Sequence, residues 1–183
     1  MAGDPASRPD AHSSPDRPHT VLFVCLGNIC RSPLAEALLK QRLAERGLAA
    51  RYRVHSAGII ARQGQIPPPD AVRAAAEQGV DITKHAATPL TPQLLTEADL
   101  VVAMDRSNVE HILNLVPGLV PRLRLLKQYE PGARGFDIPD PMGYPIEIFR
   151  DSYRQIGAGI DGLVGALERA PGGDGQSPGA APL

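Results

Sequence analysis

The apolar positions of this chain fall into short continuous runs separated by stretches with helical spacing. Thr20–Cys25 (TVLFVC) is an unbroken apolar, β-branched run, the pattern of a strand buried on both faces of a parallel sheet. It stops at Gly27-Asn28, and Ser32-Pro33 then opens a helix, with Ser32 expected as N-cap and Pro33 at the first helical position. Leu34, Leu38, Leu39 and Leu43 share one side of that helix, which ends at Gly47. A second strand is read at Tyr52–Ala57, an Ala-rich helix at Asp70–Gln78, and a short helix at Thr91–Ala98. Strand Asp99–Met104, a helix over Ser107–Val116 and a short strand at Leu123–Leu126 follow. Residues 130–145 read as a Gly- and Pro-rich loop, and a last helix covers Pro145–Arg169.

Strands alternating with helices predict an α/β three-layer sandwich: a four-stranded parallel sheet with helices on both faces. Ligands of such folds bind beyond the carboxyl ends of the strands, which directs attention to the loop after the first strand.

Composition adjusts this picture at the ends. The 183 residues include 18 Gly and 19 Pro, and 12 of these 37 fall in the first 20 and last 14 positions. Residues 1–19 are therefore expected to be a disordered leader and 170–183 a disordered tail, around one ordered domain at 20–169. The body must fill its core with Leu, Val, Ile and Ala, since the chain has three Phe, four Tyr and no Trp. A formal charge of -1 argues against a nucleic-acid binder. No apolar run approaches the ~20 residues of a bilayer span, and the N-terminus carries no secretory h-region. Two cysteines cannot staple a domain of this size, so a reducing cytoplasm is the expected compartment, and a monomer the expected state.

The loop Cys25-Leu26-Gly27-Asn28-Ile29-Cys30-Arg31-Ser32 joins a strand end to a helix N-terminus. Free N–H groups and the helix dipole attract an anion there. Gly27 and Asn28 tolerate positive φ, so the chain can curl into a nest of donors. Arg31 adds a planar fork suited to two oxygens of a tetrahedral oxyanion. Cys25 stands where the same positive field favours a nucleophilic thiolate, and Ser32 can donate a hydrogen bond to it. A phosphate site beside a thiolate means phosphoryl transfer through a cysteinyl-phosphate. The plainer reading is a buried Cys25 and a surface Arg31. Zinc at Cys25 and Cys30 would need two more convergent ligands, and His55, His85 and His111 are scattered. No metal or other cofactor is expected.

The segment 21–33 (VLFVCLGNICRSP) resembles the phosphate loop of the low-molecular-weight protein tyrosine phosphatases. The likeness continues through Ser56-Ala57-Gly58, Thr83-Lys84-His85, Glu97-Ala98-Asp99, Ala103-Met104-Asp105 and Ile138-Pro139-Asp140-Pro141. It covers about residues 20–169 and implies a general acid in the Asp-Pro loop, Asp140 here, with Asp137 a nearby rival. It also implies a supporting network of Asn28, Ser32 and His85 that holds the phosphate loop, with Asp105 outside the reacting shell. Cys30 stands at the position of a resolving thiol that would trap oxidised Cys25 as a disulfide; a small buried residue is the equal alternative.

The resemblance implies a phosphorylated protein as substrate, phosphotyrosine before phosphoarginine. Aromatics that wall the ring slot in tyrosine-specific members are replaced by Met142-Gly143-Tyr144 and by Ile59-Ile60-Ala61-Arg62. Thr88-Pro89-Leu90-Thr91-Pro92 and Asp140-Pro141-Met142-Gly143 are similar to the protein-arginine-phosphatase branch, which has Thr where this chain has Ile29. A thiol-relay arsenate reductase is disfavoured, because no cysteine follows Cys30. A non-catalytic phosphate-binding module would be expected to lack Cys25 or Asp140.

Overall fold

A computed structural model describes residues 17–169. The expected leader and tail lie outside the described residues, except for Arg17–His19. Those three are ordered: the Arg17 guanidinium forks onto the Asp99 carboxylate, and His19 begins the first strand.

Four strands form one parallel sheet in the order β2-β1-β3-β4, from β1 (His19–Cys25), β2 (Tyr52–Gly58), β3 (Leu100–Ala103) and β4 (Leu123–Leu125). The helices are α1 (Arg31–Glu45), α2 (Pro69–Glu77), α3 (Pro92–Glu97), α4 (Arg106–Leu115) and α5 (Ile146–Arg169). Alternation along β1 divides the core. Val21, Phe23 and Cys25 face the cluster built with α1, α2 and α5, while Leu22 and Val24 face the one built with α3 and α4. The expected three layers are therefore present. Burial on both faces explains why β1 is apolar at every position from Val21.

Element boundaries differ from expectation where side chains have other partners. Helix α1 starts at Arg31, with Cys30 rather than Ser32 at the N-cap and no capping side chain. Ser32 lies inside the first turn, and its hydroxyl bonds to Cys25 and Asn28 instead. Thr91 caps α3 and Asp105 caps α4, each accepting from the N–H three residues on. The long α5 runs against the 3-10 turn Leu126–Tyr129 because Gly162 carries no side chain: a Cβ there would sit 1.8 Å from the Tyr129 carbonyl oxygen.

β1 and β3 are central in the sheet, so the loop after β1, the turn after β3 and the segment 138–142 meet at the carboxyl edge.

Candidate active site

Cys25 is the last residue of β1, and the backbone turns sharply after it. Asn28 takes the left-handed conformation (φ 54) that lets the loop curl; Gly27, expected to share it, has no positive φ. The curl brings the Asn28 N–H to 3.2 Å from the Cys25 sulfur. Gly58, at the end of β2, is packed against the back of the loop. A Cβ there would lie 2.7 Å from the Asn28 nitrogen and 2.8 Å from the Gly27 carbonyl carbon, so only glycine fits.

The Asn28 side chain is a buried hub. Its Oδ1 accepts from Thr88 N–H at 2.8 Å, which fixes the amide orientation. Its Nδ2 donates to Ser32 Oγ and Ser56 Oγ, both at 2.8 Å. Ser56 donates onward to Glu36 Oε2, and Glu36 also receives Lys40 on its other oxygen. With its oxygen already accepting from Asn28, Ser32 can turn its one proton toward Cys25 Sγ, 3.0 Å away. The donor direction thus runs from Asn28 to Ser32 to Cys25, whose sulfur accepts at the end of the chain.

His85 Nε2 lies 3.0 Å from the Asn28 carbonyl oxygen, so it carries the ring proton and donates it. Burial holds the His85 imidazole below its ordinary range, opposed by Glu36 and the Asn28 bond. His85 therefore supports the loop backbone as a neutral ring and has no hydrogen bond to Cys25.

Arg31 is 2% exposed, so the surface-cation reading does not hold. Its Nη1 donates to Asp105 Oδ2 (2.7 Å) and the Ile138 carbonyl (2.9 Å), and its Nη2 to Asp140 Oδ2 (2.6 Å). Its Nε is buried and has no hydrogen-bond partner. Asp140 is half-exposed and also accepts the Met142 N–H on Oδ1 at 3.1 Å, an Asx turn that shapes its loop. Asp137 points elsewhere. Arg106 grips both its oxygens and holds its carboxyl below the usual range.

Cys30 is buried with a free thiol, as is Cys25. Burial pushes the Cys30 thiol well above the ordinary thiol range, reinforced by the charges of Cys25 and Asp140 and opposed by Arg31. At rest it is a protonated side chain beside Met142, their sulfurs 4.0 Å apart. Around the mouth, Leu26, Ile60, Met142 and Tyr144 are exposed apolar side chains, with the Ile60 N–H bonded to the Leu26 carbonyl.

The loop therefore brings together Cys25, Asn28, Arg31 and Ser32, with His85 behind and Asp140 in front. Sequence reasoning missed Glu36 and the role of Ser56, and undervalued Asp105, which is an ion-pair partner of Arg31. Glu36 could have been noticed as an acid four residues after Ser32 on a helix otherwise packed by leucines.

Comparison with known proteins identifies the family. The family model for low molecular weight phosphotyrosine protein phosphatase matches residues 20–171. A probable low molecular weight protein-tyrosine-phosphatase, EpsP of Ralstonia nicotianae, is 40% identical over 148 residues, 79% of this chain and 93% of the relative. The protein-arginine-phosphatase of Bacillus subtilis is 37% identical over 136 residues, 74% of this chain and 88% of the relative. Among solved structures, the tyrosine phosphatase Wzb from Escherichia coli K30, in complex with sulphate, superposes with a TM-score of 0.73 at 28% identity. That match covers 81% of this chain and 97% of Wzb. A YwlE mutant from Bacillus subtilis gives 0.74 at 33% identity, over 82% and 99% of the two chains. With the match spanning the sheet, the loop after β1 and the Asp140 segment together, this chain belongs to the low molecular weight phosphotyrosine protein phosphatase family.

Proposed function

We propose that the protein hydrolyses phosphotyrosine in phosphorylated proteins by two displacements at phosphorus. In the first, Cys25 sulfur attacks, the P–O ester bond breaks, and the leaving oxygen takes a proton from the Asp140 carboxyl. In the second, Asp140 carboxylate takes a proton from water as its oxygen bonds to phosphorus. The P–S bond then breaks, returning the Cys25 thiolate and inorganic phosphate. Arg31 and the N–H groups of Leu26, Gly27, Asn28, Ile29, Cys30, Arg31 and Ser32 hold the equatorial oxygens, so the route draws on no metal. His85 acts only through Asn28.

The observation that carries this reading is the state of Arg31. Its guanidinium is buried, anchored by Asp105, left with one unpartnered N–H, and in electrostatic contact with Cys25. A phosphoryl oxygen satisfies that donor. It also competes for the Nη2 that now holds Asp140, freeing the carboxyl for the leaving group. The test is Cys25→Ser, expected to lower turnover of an aryl phosphate by at least about 10³-fold. Acid quenching of wild type should trap phosphate on Cys25. Substantial activity in Cys25→Ser would overturn the assignment.

Relatives named protein-arginine-phosphatase keep a second substrate in view. Favouring it, Thr88 bonds to the phosphate loop at Asn28, and Pro89 pairs with Gly58, which packs against that loop. Against it, Ile29 is buried within the core cluster and offers no hydrogen bond to a guanidinium. Comparing kcat/KM for phosphotyrosine and phosphoarginine peptides, with Ile29→Thr alongside wild type, decides between them. A wild-type preference for phosphoarginine would reverse the order of the two substrates. A monomer in the cytoplasm is proposed with this activity; among the described residues no helix is long and apolar enough to cross a membrane.

A further inference from the structure

Two consecutive residues on α5, Ser152 and Tyr153, are fully buried polar side chains at the rear of the site, and neither takes part in the two displacements. A serine inside a helix ordinarily bonds back to the carbonyl four residues earlier. Ser152 instead donates out of its helix, to the Pro139 carbonyl at 3.0 Å. Tyr153 reaches further in another direction and donates its hydroxyl to the Cys30 carbonyl at 3.1 Å. Phe149, one turn earlier, sets the Tyr153 ring edge-on at 6.2 Å between centroids.

Each acceptor stands at a sensitive place. The Cys30 carbonyl closes the phosphate loop and begins α1, where its own helical bond to Leu34 N–H is stretched to 3.4 Å. Tyr153 supplies that carbonyl with a better partner. Pro139 immediately precedes Asp140, which is followed by a second proline. Two N–H groups that could anchor this stretch are therefore missing. Upstream, Ile138 is fixed at both ends: its N–H bonds to the Met104 carbonyl and its carbonyl to Arg31. Asp140 itself is held by Arg31, the group a phosphate would engage.

We propose that Ser152 and Tyr153 are paired positioning residues: Ser152 sets the Asp140 loop and Tyr153 the phosphate loop. Their adjacent places on the rigid α5 then fix the distance from proton donor to phosphorus. This rests on the roles proposed for Cys25 and Asp140. Once Asp140 leaves Arg31 for the leaving oxygen, the Ser152 bond continues to hold the peptide on which Asp140 pivots. The two tethers therefore have different kinetic signatures. Loss of the Ser152 bond misplaces the proton donor, and so hurts only leaving groups that need a proton. Loss of the Tyr153 bond loosens the oxyanion cradle, and so hurts every substrate.

The experiment measures kcat and KM for phenyl phosphate and for 2,4-dinitrophenyl phosphate, together with orthovanadate inhibition. Ser152→Ala is expected to lower kcat for phenyl phosphate about tenfold, the worth of one buried hydrogen bond. The dinitrophenyl ester should change less than about twofold, with vanadate inhibition intact and Ser152→Thr restoring the loss. Tyr153→Phe should slow both esters alike and weaken vanadate inhibition about five- to tenfold. If Ser152→Ala does not fold, Ser152→Cys carries the same comparison. Equal slowing of both esters by the Ser152 variant, no slowing of either, or leaving-group selectivity in Tyr153→Phe would overturn the proposal. Asp140→Ala run in parallel separates the failures. Selectivity there without selectivity at Ser152 sinks only the tether, whereas no selectivity at Asp140 sinks the general acid beneath it.

Discussion

Residues 25–32 and residues 137–144 meet at Arg31, yet they are built differently. In the phosphate loop Cys25, Asn28, Arg31 and Ser32 are all buried, and one asparagine engages two serines, a threonine N–H and a histidine. Across from it, Asp140 is half-exposed, Met142 and Tyr144 point to solvent, and the carboxyl is held by charge and one Asx turn. The first region is over-determined and holds the nucleophile and the phosphoryl oxygens in place through both displacements. The second must release its carboxyl from Arg31 and deliver a proton, so a looser hold serves its task. Mutations should therefore cost stability and all activity in the first region, and only selective activity in the second.

Among substitutions that test how the two regions are held, the largest expected effect is at Asn28. Replacing it with Ala strands the Thr88 N–H, removes one of the two partners of each serine, and puts a Cβ residue without a polar side chain at positive φ. We expect a loss of about 3 kcal/mol in stability from buried groups left unpaired. The kcat should fall by more than about 10² for every ester, whatever its leaving group. Chemical denaturation and steady-state kinetics check both. A stable Asn28→Ala with wild-type kcat would show that the hub is dispensable and dissolve the contrast.

Asp140→Ala comes next and should behave oppositely. Its kcat for a poor leaving group is expected to fall about 10²-fold, within the usual range for general acid catalysis, and for an activated ester only a few-fold. The melting temperature should stay close to wild type, because Arg31 keeps Asp105 and the Ile138 carbonyl. A large drop in stability would mean that the acid loop is as structural as the phosphate loop.

The same contrast explains what can be read from the chain. The phosphate loop is legible because its donors, turn residue and nucleophile lie within eight positions, each with its own local chemistry. The sheet and its two layers are legible for a similar reason: β1 carries the apolar pattern of a strand buried on both faces. Asp140 can be chosen over Asp137 only through resemblance. What separates them is Arg106, which takes Asp137 from 31 positions away. Glu36 escapes a reading of the sequence and Asp105 is undervalued in it, because their partners, Ser56 and Arg31, are remote along the chain and meet only after the sheet forms. The start of α1 departs from expectation for a related reason. Ser32 has the composition of an N-cap, but the site claims its hydroxyl.

Gly58→Ala is a smaller perturbation of the over-determined side. The added methyl would press on backbone atoms of Asn28 and Gly27 and on the Ala61 side chain, none of which can swing aside. Overpacking of this kind costs about 1–3 kcal/mol. Since the displaced atoms belong to the phosphate loop, phosphate affinity should fall along with stability, by about tenfold. Thermal melts with and without inorganic phosphate measure both quantities, and a shift in stability alone would detach Gly58 from the site.

The smallest effect, and the one that probes the hub from behind, is the pH response of His85. Its folded imidazole is held below the ordinary 6.5 by burial, so it stays neutral while an unfolded chain takes up a proton. The unfolded state then binds more protons as pH falls below about 6.5, and stability declines in that direction until the folded ring also titrates. Above that value the contribution is complete. His85→Gln keeps a donor for the Asn28 carbonyl but cannot titrate. Stability at pH 7.5 should therefore change by less than about 1 kcal/mol, the worth of one hydrogen bond slightly misplaced. Between pH 6.5 and 5 the wild type should lose stability relative to the variant, the two denaturation midpoints converging or crossing. Parallel pH profiles would show that His85 carries no proton linkage, and that the support it gives Asn28 does not depend on its remaining neutral.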